Sequence, residues 1–238
     1  MKILAVETAT SFQSVAVMED DAVLARSDEP APGAHGRTLL PVIDRLLAGS
    51  GLILSDLSGL AVSIGPGSFT GLRVGLATLM GFRSVTKLPL VTVPTLEALA
   101  WNLRGELRPV CPLLKARTGE LYWAMFQWQA TGRLTRLSED RVGSLASWAK
   151  SITGPVVVLG EGWPLNREAL RRLGGERTPW MVEASVSAMG ASAVSVGLAA
   201  RERFARGEVA GEGIAPTYVQ RAEAELKWAA KAMANAER

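Results

Sequence analysis

Few residues in this chain can carry acid–base or metal chemistry. Its 238 residues hold one histidine, His35, and one cysteine, Cys111. A helical two-histidine metal site needs imidazoles about four residues apart on one face. The position four after His35 is Leu39, so His35 cannot complete such a pair. His35 reads instead as a helix-start or surface residue. Cys111 lies in the apolar run RPVCPLLKA, where no cation or helix N-terminus activates a thiol, and it reads as inert core. One cysteine also excludes an intrachain disulfide and fits a reducing compartment. No nucleophile–base pair and no metal cluster is legible, so neither a catalytic residue nor a metal site is assigned. The remaining chemistry-bearing stretch is AVSIGPGSFTGLRVGLATLMGF, residues 61–82. It reads as strand, glycine turn and helix, an order that often cradles phosphate.

Its spacing fits neither common nucleotide motif. Gly65, Gly67 and Gly71 follow G-x-G-x-x-x-G, one residue longer than the dinucleotide fingerprint, and no lysine completes a phosphate loop. A generic anion site survives: Ser68 or Thr70 can cap the helix, whose free N–H groups favour negative charge. The competing reading is a tight turn that needs no ligand. Beyond the turn, Gly71, Gly75 and Thr78 share one helical face. Glycine inside a helix costs about 1 kcal/mol against alanine. Close packing against another helix is the simplest compensation, and spacing does not say whether that helix is internal or a partner's.

The elements around the turn follow from periodicity. KILAVETA, FQSVAVME and AVLAR read as three strands. HGRTLLPVIDRLLAGSG reads as a helix with Leu39, Leu40, Ile43, Leu46 and Leu47 at helical spacing and Pro41 near its start or at a kink. GLAVSI is a buried strand, LPLVTV another, and TLEALAWNL a helix capped by Thr95. RPVCPLLKA, GELYWAMFQW and GRLTRL then read as three strands, followed by the helix GSLASWAK, the strand GPVVVLG and the helix LNREALRRL. A long alanine-rich helix spans VSAMGASAVSVGLAARERFARG. The expected class is α/β, with two halves that each start β-β-β-α-β-α and a boundary near Gly105. Sites in such sheets lie at the C-terminal ends of strands, near the cleft between halves.

Composition supports a globular chain, with 48% hydrophobic and 21% charged residues. No apolar run reaches the length of a membrane span, and MKILAVETAT reads as a first strand rather than a secretory signal. The formal net charge of +3 is mildly basic. Arginines cluster in NREALRRL and ARERFARG, but glutamates interrupt both, so solvated helix faces are the simpler reading than a nucleic-acid footprint.

ILAVETAT, HGRTLLPVIDRLL, IGPGSFTGLRVGLATLMGF, ARTGELYWAMF and APTYVQR together, in this order, resemble the bacterial TsaB (YeaZ) family of tRNA threonylcarbamoyladenosine biosynthesis. The resemblance covers nearly the whole chain. It implies the actin-like, sugar-kinase-like ATPase (ASKHA) fold of two related halves, 1–104 and 105–238. It also implies a cytoplasmic, non-catalytic subunit. That subunit supports a TsaD-type catalytic subunit in adding a threonylcarbamoyl group to an adenosine beside the anticodon. A TsaE-type ATPase joins the assembly, tRNA is engaged indirectly, and the chain forms homodimers. It implies no cofactor of its own, with ATP or ADP at a complex interface. On this reading the partner surface comes from Leu39, Leu40, Ile43, Gly71, Leu72, Val74, Gly75, Leu76, Thr78, Leu79 and Met80. Glu7, Thr8, Gly65, Gly67, Ser68 and Thr70 form a remnant nucleotide or phosphate site, the basis of the rival reading of an ATPase or phosphotransferase acting alone. One departure weakens that rival: Lys115 stands in KAR where the family usually has DAR, whereas Glu7 in place of the common aspartate is a mild change that keeps the charge. A lysine there repels a metal, although it can pair with a phosphate.

Overall fold

The computed structural model describes residues 1–220. Its first half runs β1 (Lys2–Glu7), β2 (Phe12–Glu19), β3 (Ala22–Pro30), α1 (His35–Gly49), β4 (Gly59–Ser63), α2 (Phe69–Thr86), β5 (Leu90–Val93) and α3 (Thr95–Trp101). The strands form one sheet in the order β3-β2-β1-β4-β5. β1 pairs antiparallel with β2 and parallel with β4. Alternation sorts the side chains of β1 into two layers. Leu4 and Val6 pack with Leu39, Ile43, Leu76 and Leu79 of α1 and α2, while Ile3 and Ala5 face the opposite layer.

The second half runs β6 (Val110–Lys115), β7 (Glu120–Trp123), β8 (Phe126–Trp128), β9 (Leu134–Arg136), β10 (Arg141–Ser144), α4 (Leu145–Ser151), β11 (Val156–Leu159), α5 (Gly162–Gly174), β12 (Met181–Glu183) and α6 (Ala193–Ala205). Its main path, β10-β7-β6-β11-β12, repeats the order of the first sheet, and β8 and β9 branch from β6. The senses repeat too: β6 and β10 run antiparallel to β7, and β11 runs parallel to β6 and β12. The expected duplication therefore holds at the level of topology.

The sequence reading misplaces several elements. GELYWAMFQW is two strands, broken at Ala124 and Met125, where the Met125 N–H leaves the ladder for the Ser138 hydroxyl at 3.0 Å. The third strand of the repeat is the short polar β10, whereas Leu134–Arg136 pairs only with β8. Thr95 is the first helical residue rather than the cap, and its hydroxyl accepts the Gly65 N–H at 3.1 Å. The last helix starts at Ala193, capped by Ser192, whose hydroxyl accepts the Val194 N–H at 3.2 Å.

That last helix also crosses between the halves. α6 packs on β1, β2, β4 and β5 of the first sheet. Ala193, Val196 and Ala200 share one core with Ile3, Ala5, Ala16 and Met18. A side chain at Gly197 would collide with the Met18 sulfur, so the glycine lets α6 lie close on β2. Residue 105 separates the two sheets, but a division into 1–104 and 105–238 does not divide the packing. The stretch 221–238 of the second expected unit lies outside the described residues.

Candidate functional site: the glycine turn and the cleft between the halves

The turn after β4 is built for close approach of backbones. Gly65 has φ +114°, and a Cβ there would lie 2.5 Å from the Thr217 carbonyl oxygen. The Gly65–Pro66 peptide is cis. A Cβ on Gly67 would lie 2.6 Å from the Ala9 Cβ. Ser68 caps α2, its hydroxyl accepting the Gly71 N–H at 3.2 Å. Three of the turn's amides are committed inside the protein: Gly65 N–H to Thr95, Ser68 N–H to the Ala9 carbonyl at 2.6 Å, Gly71 N–H to Ser68. A phosphate loop needs such groups pointing at its ligand. Here they hold the loop to β1 and α3.

The glycine stripe faces inward. The Thr8 hydroxyl donates to the Gly71 carbonyl at 2.8 Å, and a Cβ on Gly71 or Gly75 would collide with Thr8. The close neighbour that offsets the cost of glycine is the chain's own β1 end, not a partner helix. Leu39, Ile43, Leu72, Leu76 and Leu79 are also buried within the chain. Of the expected partner surface, these seven residues therefore belong to the monomer's core. Leu40 is exposed, and Val74, Thr78 and Met80 are half-buried. The open small residues on α2 are instead Ala77 and Gly81, and a Cβ on Gly81 would meet nothing within 4 Å.

The cleft between the halves opens beside the turn. It has a volume of about 800 Å³, with Thr10, His35, Ser68 and Thr70 on one wall and Lys115, Glu161 and Leu165 on the other. Of the expected remnant site, Ser68 and Thr70 reach this cleft, Gly67 lines an adjoining one, and Glu7 and Thr8 are buried beneath. His35 opens α1 as expected but is buried, with Nε2 3.3 Å from the Phe12 carbonyl oxygen. Burial pushes the Glu7 carboxyl up to about 7, against the opposing effect of the Ala9 N–H that donates to it at 2.5 Å. Burial also raises Glu161, and the Lys115 charge opposes that rise.

Sequence reasoning missed two features of this region. The first is a counterpart turn, Gly160–Gly162, after β11, where Gly160 has φ +93° and a Cβ would collide with the Leu113 carbonyl. The signal was present as VVVLGEG, an apolar strand followed by G-x-G. The second is a strap over residues 210–220. The Ala210 N–H donates to the Leu90 carbonyl at 2.8 Å, and the Thr217 N–H donates to the Ile64 carbonyl at 2.7 Å. Tyr218 stacks on Phe69 at 4.9 Å, the Arg73 guanidinium covers Phe69 at 3.7 Å, and Arg73 Nε donates to the Tyr218 hydroxyl at 2.9 Å. Gln220 then crosses to the other half and donates to Glu120 at 2.7 Å.

The arginine clusters are largely spent on carboxylates. Arg167 and Arg171 of α5 meet Glu183, and Arg201 and Arg203 of α6 and Arg206 just after it meet Asp21, Glu97 and Glu208. This agrees with solvated helix faces. Cys111 is buried, with Trp148 Nε1–H donating to its sulfur at 3.4 Å, and burial pushes the thiol up to about 12. No helix among the described residues is long and apolar enough to cross a membrane.

Comparison with known proteins fits this architecture. The family model for TsaD, tRNA N6-adenosine threonylcarbamoyltransferase, matches residues 29–159. The tRNA threonylcarbamoyladenosine biosynthesis protein TsaB of Escherichia coli is 36% identical over 172 residues, 68% of this chain and 72% of that protein. This chain belongs to the TsaB (YeaZ) family. YeaZ from Pseudomonas aeruginosa superimposes with a TM-score of 0.75 at 26% identity, covering 92% of this chain and 99% of that one. A ROK family protein from Streptococcus pneumoniae, at 12% identity and a TM-score of 0.50, shares the fold alone, covering 86% of this chain and all of that one. The two repeated sheets of this TsaB-family chain are thus the halves of the actin-like, sugar-kinase-like fold.

Proposed function

We propose that this chain is a non-catalytic scaffold subunit in tRNA threonylcarbamoyladenosine biosynthesis, docking a TsaD-type catalytic subunit through the outer face of α1 and α2. The observation that supports this is an exposed face of apolar and small side chains. On α2, Val74, Ala77, Thr78, Gly81 and Val85 lie within one helical stripe. On α1, Gly36 comes to Val74, its Cβ position 3.9 Å from the Val74 side chain, and Leu40 lies one turn on. Leu40 is 53% exposed and Val85 83% exposed. Grouped exposed apolar residues of this kind mark association surfaces, and small residues let helices approach closely. A second copy of the chain can occupy the same face, so homodimer and heterodimer compete. A TsaE-type ATPase completes the assembly, ATP or ADP sits at a subunit interface, and tRNA is bound through the partner. Co-purification with the TsaD-type subunit tests the reading: substitution of Gly81 by leucine should abolish it, and undiminished recovery would refute the docking face.

The cleft favours a second reading, an ATPase acting alone. Lys115 in the cleft and the commitment of the Gly65, Ser68 and Gly71 amides oppose it. Calorimetric titration of the isolated chain with Mg-ATP separates the two readings. Absence of saturable heat supports the scaffold, and micromolar binding supports the ATPase.

A further inference from the structure

The docking face of α1 and α2 carries charge chiefly of one sign. α2 holds Arg73 and Arg83 and no acid, and its cap Lys87 adds a further cation. α1 holds Arg37, Arg45 and Asp44. Of these, Arg37, Arg73, Lys87 and Asp44 are exposed. Helical spacing sets them beside the apolar stripe. Arg37 lies one turn before Leu40 and Pro41, Arg73 lies one turn before Ala77, and Lys87 ends α2 just past Val85.

Part of this charge is already offset. Arg45 meets Glu29 of β3, and Arg83 shares a cavity with Glu212 of the strap while donating to the Gly211 carbonyl at 2.8 Å. Arg73 stacks on Phe69 and donates to Tyr218, and Lys87 donates to the Ser84 carbonyl at 2.8 Å. Those neutral contacts leave both charges in place. Among the described residues Arg37, Arg73 and Lys87 have no ion pair, so they stand against Asp44 alone. The formal net charge of the whole chain is only +3, which makes this a concentration rather than a general background.

Symmetry turns the surplus against self-association. Two copies docked about a two-fold axis present the same patch to each other. Their cations then gather at one seam, and like charges across an interface oppose it, whereas facing carboxylates favour it.

We propose that this face selects a partner whose docking surface sets carboxylates around an apolar stripe, and that its cations disfavour a second copy of the chain. The inference rests on the scaffold reading above and names the chemistry of the partner's surface. Screening by salt weakens attraction and repulsion alike, so the two contacts respond to it with opposite sign.

The test uses the full-length chain, titrated calorimetrically with the TsaD-type subunit and examined alone by sedimentation equilibrium, at about 0.05 M and about 0.5 M NaCl. The Kd for the catalytic subunit should rise about threefold or more with salt, and self-association should tighten. Arg37→Glu should weaken the first contact and strengthen the second at low salt, with both differences shrinking at high salt. Lys87→Asn should act in the same direction, asparagine being at ease in the left-handed backbone of that position, φ +60°. Heterodimer affinity that salt raises or leaves unchanged, self-association that salt weakens or leaves unchanged, or parental behaviour in Arg37→Glu would overturn this inference. The scaffold reading would survive that result where Gly81→Leu still abolishes the contact. Absence of heterodimer at both salt concentrations would overturn the two together.

Discussion

Thr8 occupies the space that a side chain on Gly75 would need. Thr8 directly follows β1 and Gly75 lies in α2, and their contact sets how closely the helix lies on the sheet. Gly75→Leu should therefore destabilise the monomer by about 3 kcal/mol or more, since overpacking costs about 1–3 kcal/mol even where neighbours can shift. Thermal unfolding reads this directly. A variant that melts with the parent chain would show that the helix is free to move away.

Gly81 is the contrasting case. It is exposed on the same helix with open space around it. Gly81→Leu should leave the melting temperature unchanged or slightly raised, since leucine is favoured over glycine in a helix by up to about 1 kcal/mol. The same variant should lose the catalytic partner in co-purification, and the pair separates folding from docking. If Gly81→Leu unfolds the chain, the outward orientation of this stripe is wrong.

The inward and outward glycines also show what sequence can and cannot reveal. Strand-forming runs such as FQSVAVME and the glycine breaks placed the strands and helices of the first half, although β2 is buried on both faces, with Val15 and Val17 toward α1 and α2 and Ala16 and Met18 toward α6. Spacing located a small-residue stripe on α2 but not the direction it faces, since Gly71, Gly75 and Gly81 differ only in their three-dimensional neighbours. β10 and β12 were missed because RVGS, which is also polar, and MVE are too short to show a period. The return of α6 onto the first sheet leaves no local signal. Lys115 was singled out by its residue type, whereas Glu161, across from Glu7, became visible only when the second turn fell beside the first.

Glu7 makes stability depend on pH. Unfolded, a glutamate titrates near 4.5, and in the folded chain Glu7 titrates near 7. Between those values the folded state holds the extra proton, so stability falls as pH rises through the window and levels off above it. A shift of that size corresponds to about 3 kcal/mol as an upper figure. Glu106, held down to about 2 chiefly by Arg108, acts below this window. Denaturant midpoints at the two ends should differ in the parent chain and converge in Glu7→Gln. Equal midpoints in the parent would contradict the burial of this carboxyl.

Cys111 should be silent to thiol reagents in the native state. It is buried, and its thiol is held near 12, while the thiolate is the reactive form. Labelling should begin only as the chain unfolds, in step with loss of tryptophan signal from Trp148. Rapid labelling of the folded chain would contradict the packing of this core.

The central claim is a scaffold that acts through its partner, and reconstitution tests it most directly. The chain is combined with TsaD-type and TsaE-type subunits, tRNA and threonylcarbamoyl-adenylate, and the modified adenosine is measured with and without it. Loss of modification on omission, with Gly81→Leu failing to restore it, is the expected result. Full modification without the chain would contradict the account.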